Sequence, residues 1–359
     1  MIAYFPAPYP DELFYSILSR FYVHSGHIAF GHAASELFEV VPTKPNVDFI
    51  SKLKKDVYEK VTSMIPIDEL VMKHTMFPYF ARFYLQKEKE TAFRAVAESC
   101  GNYYSYFPKS HILPDPGRKL RYCPLCADED RKKYGETYWH RVHQIPEIRV
   151  CVKHRCRLVS ARYNINNRTV SSFHSAEETA NQCSAETVGG LELKIAEYLT
   201  SILEAEFSFQ NSACHSLFQD KMIEKGYFSL KNKTRDIGKM KADINKFYSP
   251  VMDRCFFYDE TLPDLLNKRC FHPFDACLLG LFLDIPLNEL ISSSERQQTA
   301  QDPFDSMIIE MFMENLTFMK IAKRLDTTYD YIYYLCTQNN LNLLYRDRFD
   351  RAACRLNCD

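Results

Sequence analysis

The sequence predicts a mainly α-helical protein of several domains, with a small zinc-finger module near its centre. At 359 residues the chain is long enough for two to three domains of ~100–200 residues each. Hydrophobic residues make up 46% and aromatic residues 14%, a composition typical of proteins with folded cores. Only 10 glycines accompany 23 tyrosines and 26 phenylalanines, which favours aromatic-packed helices over tight hairpins.

Changes in the sequence pattern divide the chain into four parts. The turn cluster Pro114–Gly117 ends the first helical region, and residues 164–189 are rich in Asn, Ser, Thr and Glu. We therefore predict an N-terminal helical, helix-turn-helix-like domain at 1–113, a zinc-finger module at 114–163, a linker at 164–189, and a C-terminal helical domain at 190–359 with a second helix-turn-helix.

The first two helices follow from apolar residues at helical spacing. They recur on one face over 13–21, after Asp11 as a predicted N-cap and before a stop at Gly26. A second helix is predicted over 31–40. Two such helices with a short glycine-containing connection suit either a helix-turn-helix or an ordinary helical hairpin, and the pattern leaves both open.

Further helices are predicted over 51–63, 90–100, 191–207 and 278–282, where apolar residues again recur at helical spacing. Between the first two of these lies an aromatic segment, 74–80, that a proline interrupts. We predict that this segment is a buried junction between helices.

Two pairs of residues have the spacing of metal ligands. Cys123 and Cys126 form a C-x2-C pair, and Cys151 and His154 form a C-x2-H pair after 24 intervening residues. Zinc binds four such ligands in a tetrahedron, and two residues between paired ligands let both side chains point at one ion. The alternative is chance pairing among 13 cysteines, which two complete pairs argue against. We predict one structural Zn²⁺ ion.

A site with four protein ligands has no open position for substrate or water, so this zinc is predicted to support folding and not catalysis. The sequence also lacks the H-E-x-x-H and deaminase signatures, which leaves a zinc-dependent hydrolase or deaminase as a remote alternative. We expect His140 and His143 to pack and form hydrogen bonds, and Cys156 to supply no further ligand.

The N-terminus and the hydropathy pattern favour a cytoplasmic protein. Residues 1–10 are rich in aromatic residues and proline, without the basic and then apolar regions of a signal peptide. The sequence contains no run of about 18 uninterrupted apolar residues, which argues against a membrane-spanning segment. In a reducing compartment, clustered cysteines indicate a metal site, and scattered ones indicate core packing.

The net charge of −1 gives no overall signature of nucleic-acid binding, so any DNA contact has to be local. Residues 118–157 contain eleven Lys or Arg and five Asp or Glu, interleaved with aromatic residues. This pattern suits contact with DNA phosphates, although a solvated basic surface has the same pattern. The candidate DNA-contacting residues in this module are Arg131, Lys132, Lys133 and Arg141.

The C-terminal region predicts a second candidate for DNA binding. Residues 318–325 and 329–339 predict two helices joined by a short turn, and Ala322 and Ile332 are placed to pack between them. A helical hairpin inside an all-α domain has the same pattern. In a helix-turn-helix, Thr327, Thr328, Tyr329 and Tyr333 would lie near base edges, and Lys320, Lys323 and Arg324 near phosphates.

Several motifs together resemble the TniQ/TnsD family of transposition target-selection proteins, nearer the TnsD type. The motifs are Phe5–Leu13, His74–Pro78, Tyr122–Cys126, Tyr134–Pro146, Val150–His154 and Phe271–Phe274. Two positions depart from the family pattern, because Glu147 and Arg155 stand where members commonly have glycine.

The resemblance implies a non-enzymatic protein of the bacterial nucleoid. Such a protein recognises the insertion (attachment) site of a transposon in double-stranded DNA and recruits a TnsC-like AAA+ ATPase regulator of transposition. The alternative within the family is a TniQ-type adaptor, which bridges an RNA-guided CRISPR effector complex to the ATPase.

Overall fold

The computed structural model describes residues 2, 4–40, 45–99, 103–107, 119–164, 172–181, 183–210, 214–229, 234–252, 262, 266, 271–292, 303–314, 316–327 and 329–338. Within these residues the chain is mainly helical, as predicted, with three small two-stranded sheets. It forms two compact units, Met1–Gln210 with His272–Leu278, and Asn211–Phe271 with Leu279–Asp359. None of the described helices has the length and apolar character needed to cross a membrane.

Short helices and two small antiparallel sheets make up the part of the first unit before residue 211. The helices are α1 (Phe14–His24), α2 (Phe30–Leu37), α3 (Lys55–Met64), α4 (Ile67–His74), α5 (Phe77–Phe80), α6 (Gln86–Ala97), α7 (Pro124–Tyr134), α8 (Ala176–Thr179) and α9 (Gly190–Glu204), with 3-10 turns at Tyr103–Tyr106 and Val142–Gln144. Strand β1 (Lys119–Tyr122) pairs with β4 (Val159–Asn164), and β2 (Val150–Cys151) pairs with β3 (Cys156–Arg157).

Along the rest of the chain the described elements are again mostly helices. They are α10 (Cys214–Glu224), α11 (Ile237–Tyr248), α12 (Pro273–Phe282), α13 (Leu287–Ser292), α14 (Pro303–Met313), α15 (Phe318–Arg324) and α16 (Tyr329–Gln338). Strands β5 (Phe228–Ser229) and β6 (Thr234–Arg235) form an antiparallel pair between α10 and α11.

Helix α1 begins two residues later than an Asp11 cap requires. Leu13 occupies the N-cap, whereas Asp11 has a φ of +56° and lies outside the helix. Its carboxylate accepts hydrogen bonds from the backbone amide of Val142 and from Nε of Arg141 instead. The predicted N-cap is therefore wrong, because a partner distant in sequence outcompetes the local helix terminus for this carboxylate.

The aromatic segment 74–80 is the buried junction between helices that its pattern predicts. Phe77, Pro78 and Tyr79 are buried, and Pro78 lies in the first turn of α5, where a missing N–H breaks no helical hydrogen bond. Just after it, Arg82 donates to the carbonyl oxygens of Ile202, Ala205 and Glu206, at the C-terminal end of α9. These hydrogen bonds connect the turn after α5 to the C-terminal end of α9, about 120 positions later in the sequence.

The described part of segment 164–189 packs into the first unit. Phe173 is buried and contacts four aromatic rings of α1 and α2 or beside them: Tyr15, Tyr22, Phe30 and Phe38. The carbonyl of His174 accepts a hydrogen bond from the indole of Trp139. Polar composition predicts a linker here, whereas the described part of the segment is packed against the first unit by a large apolar residue. The four-part division of the chain stays a prediction.

Candidate metal centre and nucleic-acid interface

The first pair of predicted ligands lies at the start of a helix. Strand β1 leads into Cys123, which is the N-cap of α7, and Pro124 takes the first helical position, where proline is favoured. Cys126 follows in the first turn, and both cysteines are buried. The three-residue spacing thus places the two thiols on the same side of one helical turn.

The second pair lies in the β2–β3 hairpin. Cys151 ends β2, and His154 lies in the turn that leads to β3. Arg155 completes the turn with a φ of +50°, in the left-handed region that favours glycine. The turn therefore has the backbone conformation expected for the family's usual glycine, although the arginine adds roughly 1–2 kcal/mol of strain.

The four side chains converge on one point, with one donor atom from each residue and all donors within 4.8 Å of one another. His154 Nδ1 lies 3.4 Å from Cys123 Sγ, 3.3 Å from Cys126 Sγ and 3.8 Å from Cys151 Sγ. The thiols of Cys126 and Cys151 are 3.8 Å apart. The structure thus brings together the four residues that the spacing predicts, as a group that could hold a metal ion.

These separations fit tetrahedral zinc. With Zn–S bonds of ~2.3 Å and Zn–N bonds of ~2.0–2.1 Å, the edges of the tetrahedron are ~3.8 Å between sulfurs and ~3.6 Å between sulfur and nitrogen. The observed Sγ–Sγ distance of 3.8 Å and the Sγ–Nδ1 distances of 3.3–3.8 Å lie close to these edges. The donor set of three sulfurs and one imidazole nitrogen is also one that structural zinc takes.

The crowded thiols compete for protons. Hydrogen bonding from the Cys126 thiol lowers the pKa of Cys123, and the same contact raises the pKa of Cys126, because one thiolate disfavours a second beside it. A bound divalent cation would remove this repulsion between thiolates, since thiolates bind a cation as negative ligands. The electrostatics of the cluster thus favour a bound cation.

Neighbouring side chains orient the ligands from outside the cluster. Nε2 of His154, the nitrogen that faces away from the thiols, lies 3.1 Å from a carboxylate oxygen of Glu129, which also pairs with Lys153. His143 is buried, and burial lowers its pKa well below the usual value, so the ring is neutral. Its Nε2 lies 3.9 Å from Cys126 Sγ.

Two other residues near the predicted ligands lie outside the converging group. His140 bonds to Asp130 through Nε2, at 2.8 Å. Cys156 is buried on β3, with its Sγ 3.4 Å from that of Cys123, but it is not among the four residues whose donors all lie within 4.8 Å. Both placements agree with the roles expected from the sequence.

The segment before α1 is hydrogen-bonded to the predicted zinc-finger module at 114–163. Leu13 donates its amide to the carbonyl of Trp139 at 3.1 Å, and Arg141 donates its amide to the carbonyl of Asp11 at 2.7 Å. Glu12 and His140 form the bridge between these two bonds. Two motifs that are far apart in the sequence are thus joined by a direct antiparallel pairing.

A buried ion network reinforces this pairing. Arg20 lies between the carboxylates of Glu12 at 2.9 Å and Glu136 at 2.8 Å, and its guanidinium stacks 3.7 Å above the ring of Tyr9. Burial raises the pKa of Glu12 to about 7, although Arg20 opposes the shift. Glu136 also accepts from His24, at 2.9 Å, and its pKa is lowered by the hydrogen bond from Arg20 despite its partial burial.

One of the basic residues predicted to contact DNA in this module, Arg141, is instead buried inside the protein. Only 7% of its surface is exposed, and its guanidinium pairs with Asp11 and donates to the carbonyls of Met72 and Thr75. With these donors engaged inside the protein, the side chain cannot reach a phosphate. Composition alone does not distinguish such a buried arginine from an exposed one.

The other three basic residues of this group lie on α7. Arg131 is half-buried, where it pairs with Glu177 and donates to the carbonyl of Ala180. Lys132 and Lys133 are exposed at the C-terminal end of the helix. Their positive charges also suit the negative end of the helix dipole, so exposure is compatible with a solvated surface as well as with DNA contact.

The C-terminal candidate forms a three-helix arrangement. Helices α14, α15 and α16 contact one another, and Ala322 and Ile332 are both buried between the last two, as their spacing predicts. Asp326 in the turn has a φ of +46°, the conformation that glycine often supplies there. Local geometry therefore suits a helix-turn-helix.

The predicted DNA-contacting residues of this region are mostly on its surface. Lys320, Lys323 and Arg324 are exposed on α15, and Tyr329 and Tyr333 are exposed on α16. Thr327 is partly buried in the turn. Thr328 lies outside the described residues.

Sequence analysis missed the interaction made by Glu147, one of the two departures from the family pattern. Its carboxylate accepts a hydrogen bond from the hydroxyl of Tyr79 at 2.7 Å and lies 4.0 Å from the ring nitrogen of His272. The residue thus joins three separate motifs: the 74–80 segment, the end of the central motif and the Phe271–Phe274 motif. The sequence feature that could have revealed this interaction is a charged residue at a position where family members commonly have glycine.

Comparison with known proteins agrees with the motifs. A sequence model of the TniQ family matches residues 3–158. The chain is 27% identical over 156 residues to the transposon Tn7 transposition protein TnsD of Escherichia coli, a match that covers 42% of this chain and 30% of that relative. The matched segment thus spans less than a third of the relative's length. The match to the TniQ family model over residues 3–158 thus agrees with the resemblance to the TniQ/TnsD family that the motifs indicate.

Proposed function

We propose that this chain selects the DNA target of a bacterial transposon, by recognising the insertion site and recruiting an AAA+ ATPase regulator. The observation that carries the proposal is a TniQ domain in the same chain as a three-helix arrangement with an exposed basic helix. The similarity to a Tn7 transposition protein supports the biological setting. A catalytic role has no support in the four-ligand cluster, which leaves a bound ion no open position.

In this proposal Cys123, Cys126, Cys151 and His154 bind one structural Zn²⁺ ion. The ion supplies folding energy, because it joins the N-terminus of α7 to the β2–β3 hairpin. The segment between these two pairs also binds the chain before α1. The metal therefore stabilises the surface on which the N-terminal helices are assembled.

The proposed DNA contacts lie mainly on the C-terminal three-helix arrangement. Lys320, Lys323 and Arg324 supply positive charge on α15, and within the described part of the chain no carboxylate pairs with them. Phosphate contacts of this kind position a protein on DNA without reading sequence. Tyr329 and Tyr333 on α16 would then face the bases, as the second helix of a helix-turn-helix does.

The proposal can be tested by binding to duplex DNA. The full-length protein is incubated with a library of fragments from the host genome, bound fragments are sequenced, and affinity for enriched fragments is measured over a range of salt concentrations. We expect enrichment of a specific site, and we expect Lys323→Gln to reduce the slope of log affinity against log salt by about 0.9. Lys246→Gln, at an exposed lysine of α11, is the matched control and should leave the slope unchanged.

Recruitment is tested separately with a purified TnsC-like AAA+ ATPase. Co-sedimentation of the ATPase with the protein on target DNA is the expected result. The adaptor role is the competing outcome: the protein would show no sequence preference on the genomic library at physiological salt, and would co-purify with a guide-RNA complex. That combination would overturn direct recognition of the insertion site.

A further inference from the structure

We propose that α16 recognises thymine methyl groups in the major groove through a stacked pair of tyrosines. This base preference depends on the DNA-binding role proposed above and specifies the base feature that the helix selects. It is carried by the placement of Tyr329 and Tyr333, by the residues that α16 lacks, and by the charge beside them.

The two tyrosines form a flat aromatic surface on the protein exterior. Tyr329 is 39% exposed and Tyr333 is 45% exposed. Their ring centroids are 6.2 Å apart, and the ring planes differ by only 14°. Residues four apart share one face of a helix, and this pair lies in the first half of α16. In a helix-turn-helix, the N-terminal residues of the second helix are the ones that contact base edges.

The chemistry of this face suits an apolar feature of DNA. The sequence of α16, Tyr329–Gln338, contains no lysine or arginine, so the helix cannot make the bidentate contact with guanine that arginine provides. The rings present aromatic carbon instead. In unmodified DNA the 5-methyl group of thymine is the apolar group that base edges show in the major groove, and aromatic side chains contact it favourably.

A buried ring supports the pair from behind. Phe318 lies under both tyrosines, with ring centroids 6.1 Å from Tyr329 and 6.4 Å from Tyr333 and interplanar angles of 62° and 75°. Phe318 itself is fully buried at the start of α15. Such packing restricts the tyrosine side chains before binding, so less conformational entropy is lost when they contact a base.

The charge beside the tyrosines favours DNA over a protein partner. Lys320, Lys323 and Arg324 are exposed on the adjacent helix α15. An exposed aromatic pair next to cations complements the major groove, where methyl groups lie between two rows of phosphates. The proposed occupant is therefore duplex DNA with thymine opposite α16.

The test compares DNA with and without the methyl groups. Fragments enriched from the genomic library are amplified once with dTTP and once with dUTP, which removes only the 5-methyl group of each thymine. We expect the uracil duplex to bind about four-fold more weakly for each methyl group that the tyrosines bury, which corresponds to ~0.8 kcal/mol per methyl group. Competition between the two duplexes for the full-length protein measures this ratio directly.

Variants separate reading from folding. Tyr329→Phe and Tyr333→Phe keep the rings and should keep the preference for thymine, whereas Tyr333→Ala should bring the two affinities closer together. Tyr106→Ala, at a comparably exposed tyrosine of the first unit, is the control and should leave the preference unchanged. Circular dichroism confirms that each variant is folded.

The outcomes distinguish this inference from the proposed function. Sequence-specific binding with equal affinity for thymine and uracil duplexes would overturn methyl recognition and leave target selection in place. Equal loss of affinity for both duplexes in Tyr333→Ala would show that the tyrosine packs and does not read. Absence of any duplex binding would overturn both.

Discussion

His154 turns the two nitrogens of its ring to opposite sides, with Nδ1 toward the three thiols and Nε2 3.1 Å from Oε1 of Glu129. This is the arrangement by which a carboxylate orients a metal-bound imidazole and makes it a stronger ligand. We expect Glu129→Ala to weaken zinc binding by ~10–100-fold, as measured by competition with a chromogenic chelator. Glu129→Gln should weaken it less, because the amide oxygen can still accept from the ring.

The matched control for this change is Glu69→Ala. Glu69 is an exposed carboxylate that pairs with Lys73 on α4 and has no contact with the cluster. If Glu129→Ala binds zinc as tightly as Glu69→Ala and the wild type in the same competition, Glu129 has no role in positioning His154.

Replacing single cysteines should distinguish the metal ligands from a neighbouring cysteine that does not bind the metal. We expect Cys151→Ser to lose the metal and to unfold the module, because structural zinc contributes folding energy directly. Cys156→Ser changes a thiol that is equally buried and adjacent to Cys123 but lies outside the group of four donors. It should keep one zinc per chain by elemental analysis. Zinc loss in Cys156→Ser, or retention of native structure in Cys151→Ser, would show that the ligand set is different.

Arg141 and Lys132 should have opposite effects on stability and DNA binding. Arg141→Ala leaves the Asp11 carboxylate without its buried partner, so we expect unfolding to become easier by about 3 kcal/mol or more. Lys132→Ala removes an exposed charge and should change stability by less than about 0.5 kcal/mol. Urea unfolding monitored by the single tryptophan, which is buried in this module, reports the difference.

If the module contacts DNA phosphates, the direct effect on DNA binding should come from Lys132→Ala and not from Arg141→Ala. Lys132→Ala should then reduce the salt dependence of binding at unchanged stability. An Arg141→Ala protein with wild-type unfolding would contradict the interior role assigned to that guanidinium.

Glu12 should make stability depend on pH. Its pKa is about 7 in the folded protein, against a usual value of 4.5, because burial disfavours the charged form. Between these two values the folded state binds more protons than the unfolded state, so the stabilising effect of protonation is complete below about pH 4.5 and is lost as the pH rises through 7. The difference is on the order of 3 kcal/mol.

The corresponding experiment compares wild type with Glu12→Gln by urea unfolding from pH 5 to pH 8. The glutamine variant should lose less stability over this range than the wild type. Because His24 contacts Glu136 in the same network, both proteins should also be measured with His24→Asn. Parallel pH profiles in that background would contradict a raised pKa for Glu12.

Arg155 offers a direct test of backbone strain. Its φ of +50° costs an arginine roughly 1–2 kcal/mol, which glycine does not experience, although glycine gains entropy in the unfolded chain. We expect Arg155→Gly to leave stability unchanged or to raise it by up to about 1 kcal/mol, and Arg155→Val to lower both stability and zinc retention. A stable Arg155→Val protein would mean that the turn does not need a left-handed residue.

The sequence predicts well what depends on local patterns. The four converging residues follow from x2 spacing, and the burial of Ala322 and Ile332 follows from a ten-residue separation. Asp11 and Arg141 show what local pattern misses, because a good helix cap and an apparently solvent-facing arginine bind each other across 130 positions. Phe173 is a further case, since a segment of polar composition is anchored by one ring. Such pairings depend on which elements meet in space, and a single sequence does not specify that.

The antiparallel pairing of Asp11–Leu13 with Trp139–Arg141 also sets an order of events during synthesis. A ribosome adds ~5–20 residues per second, so the partner strand follows the first by roughly 6–26 s. Throughout that interval the segment before α1 lacks this partner, and Tyr15 and Tyr22 of α1 lack the ring of Phe173 against which they pack. The N-terminal helices therefore reach their final packing only after the β2–β3 hairpin has left the ribosome. If the cluster binds zinc as proposed, zinc supply during translation, and not only afterwards, should affect how much of the protein is recovered in soluble form.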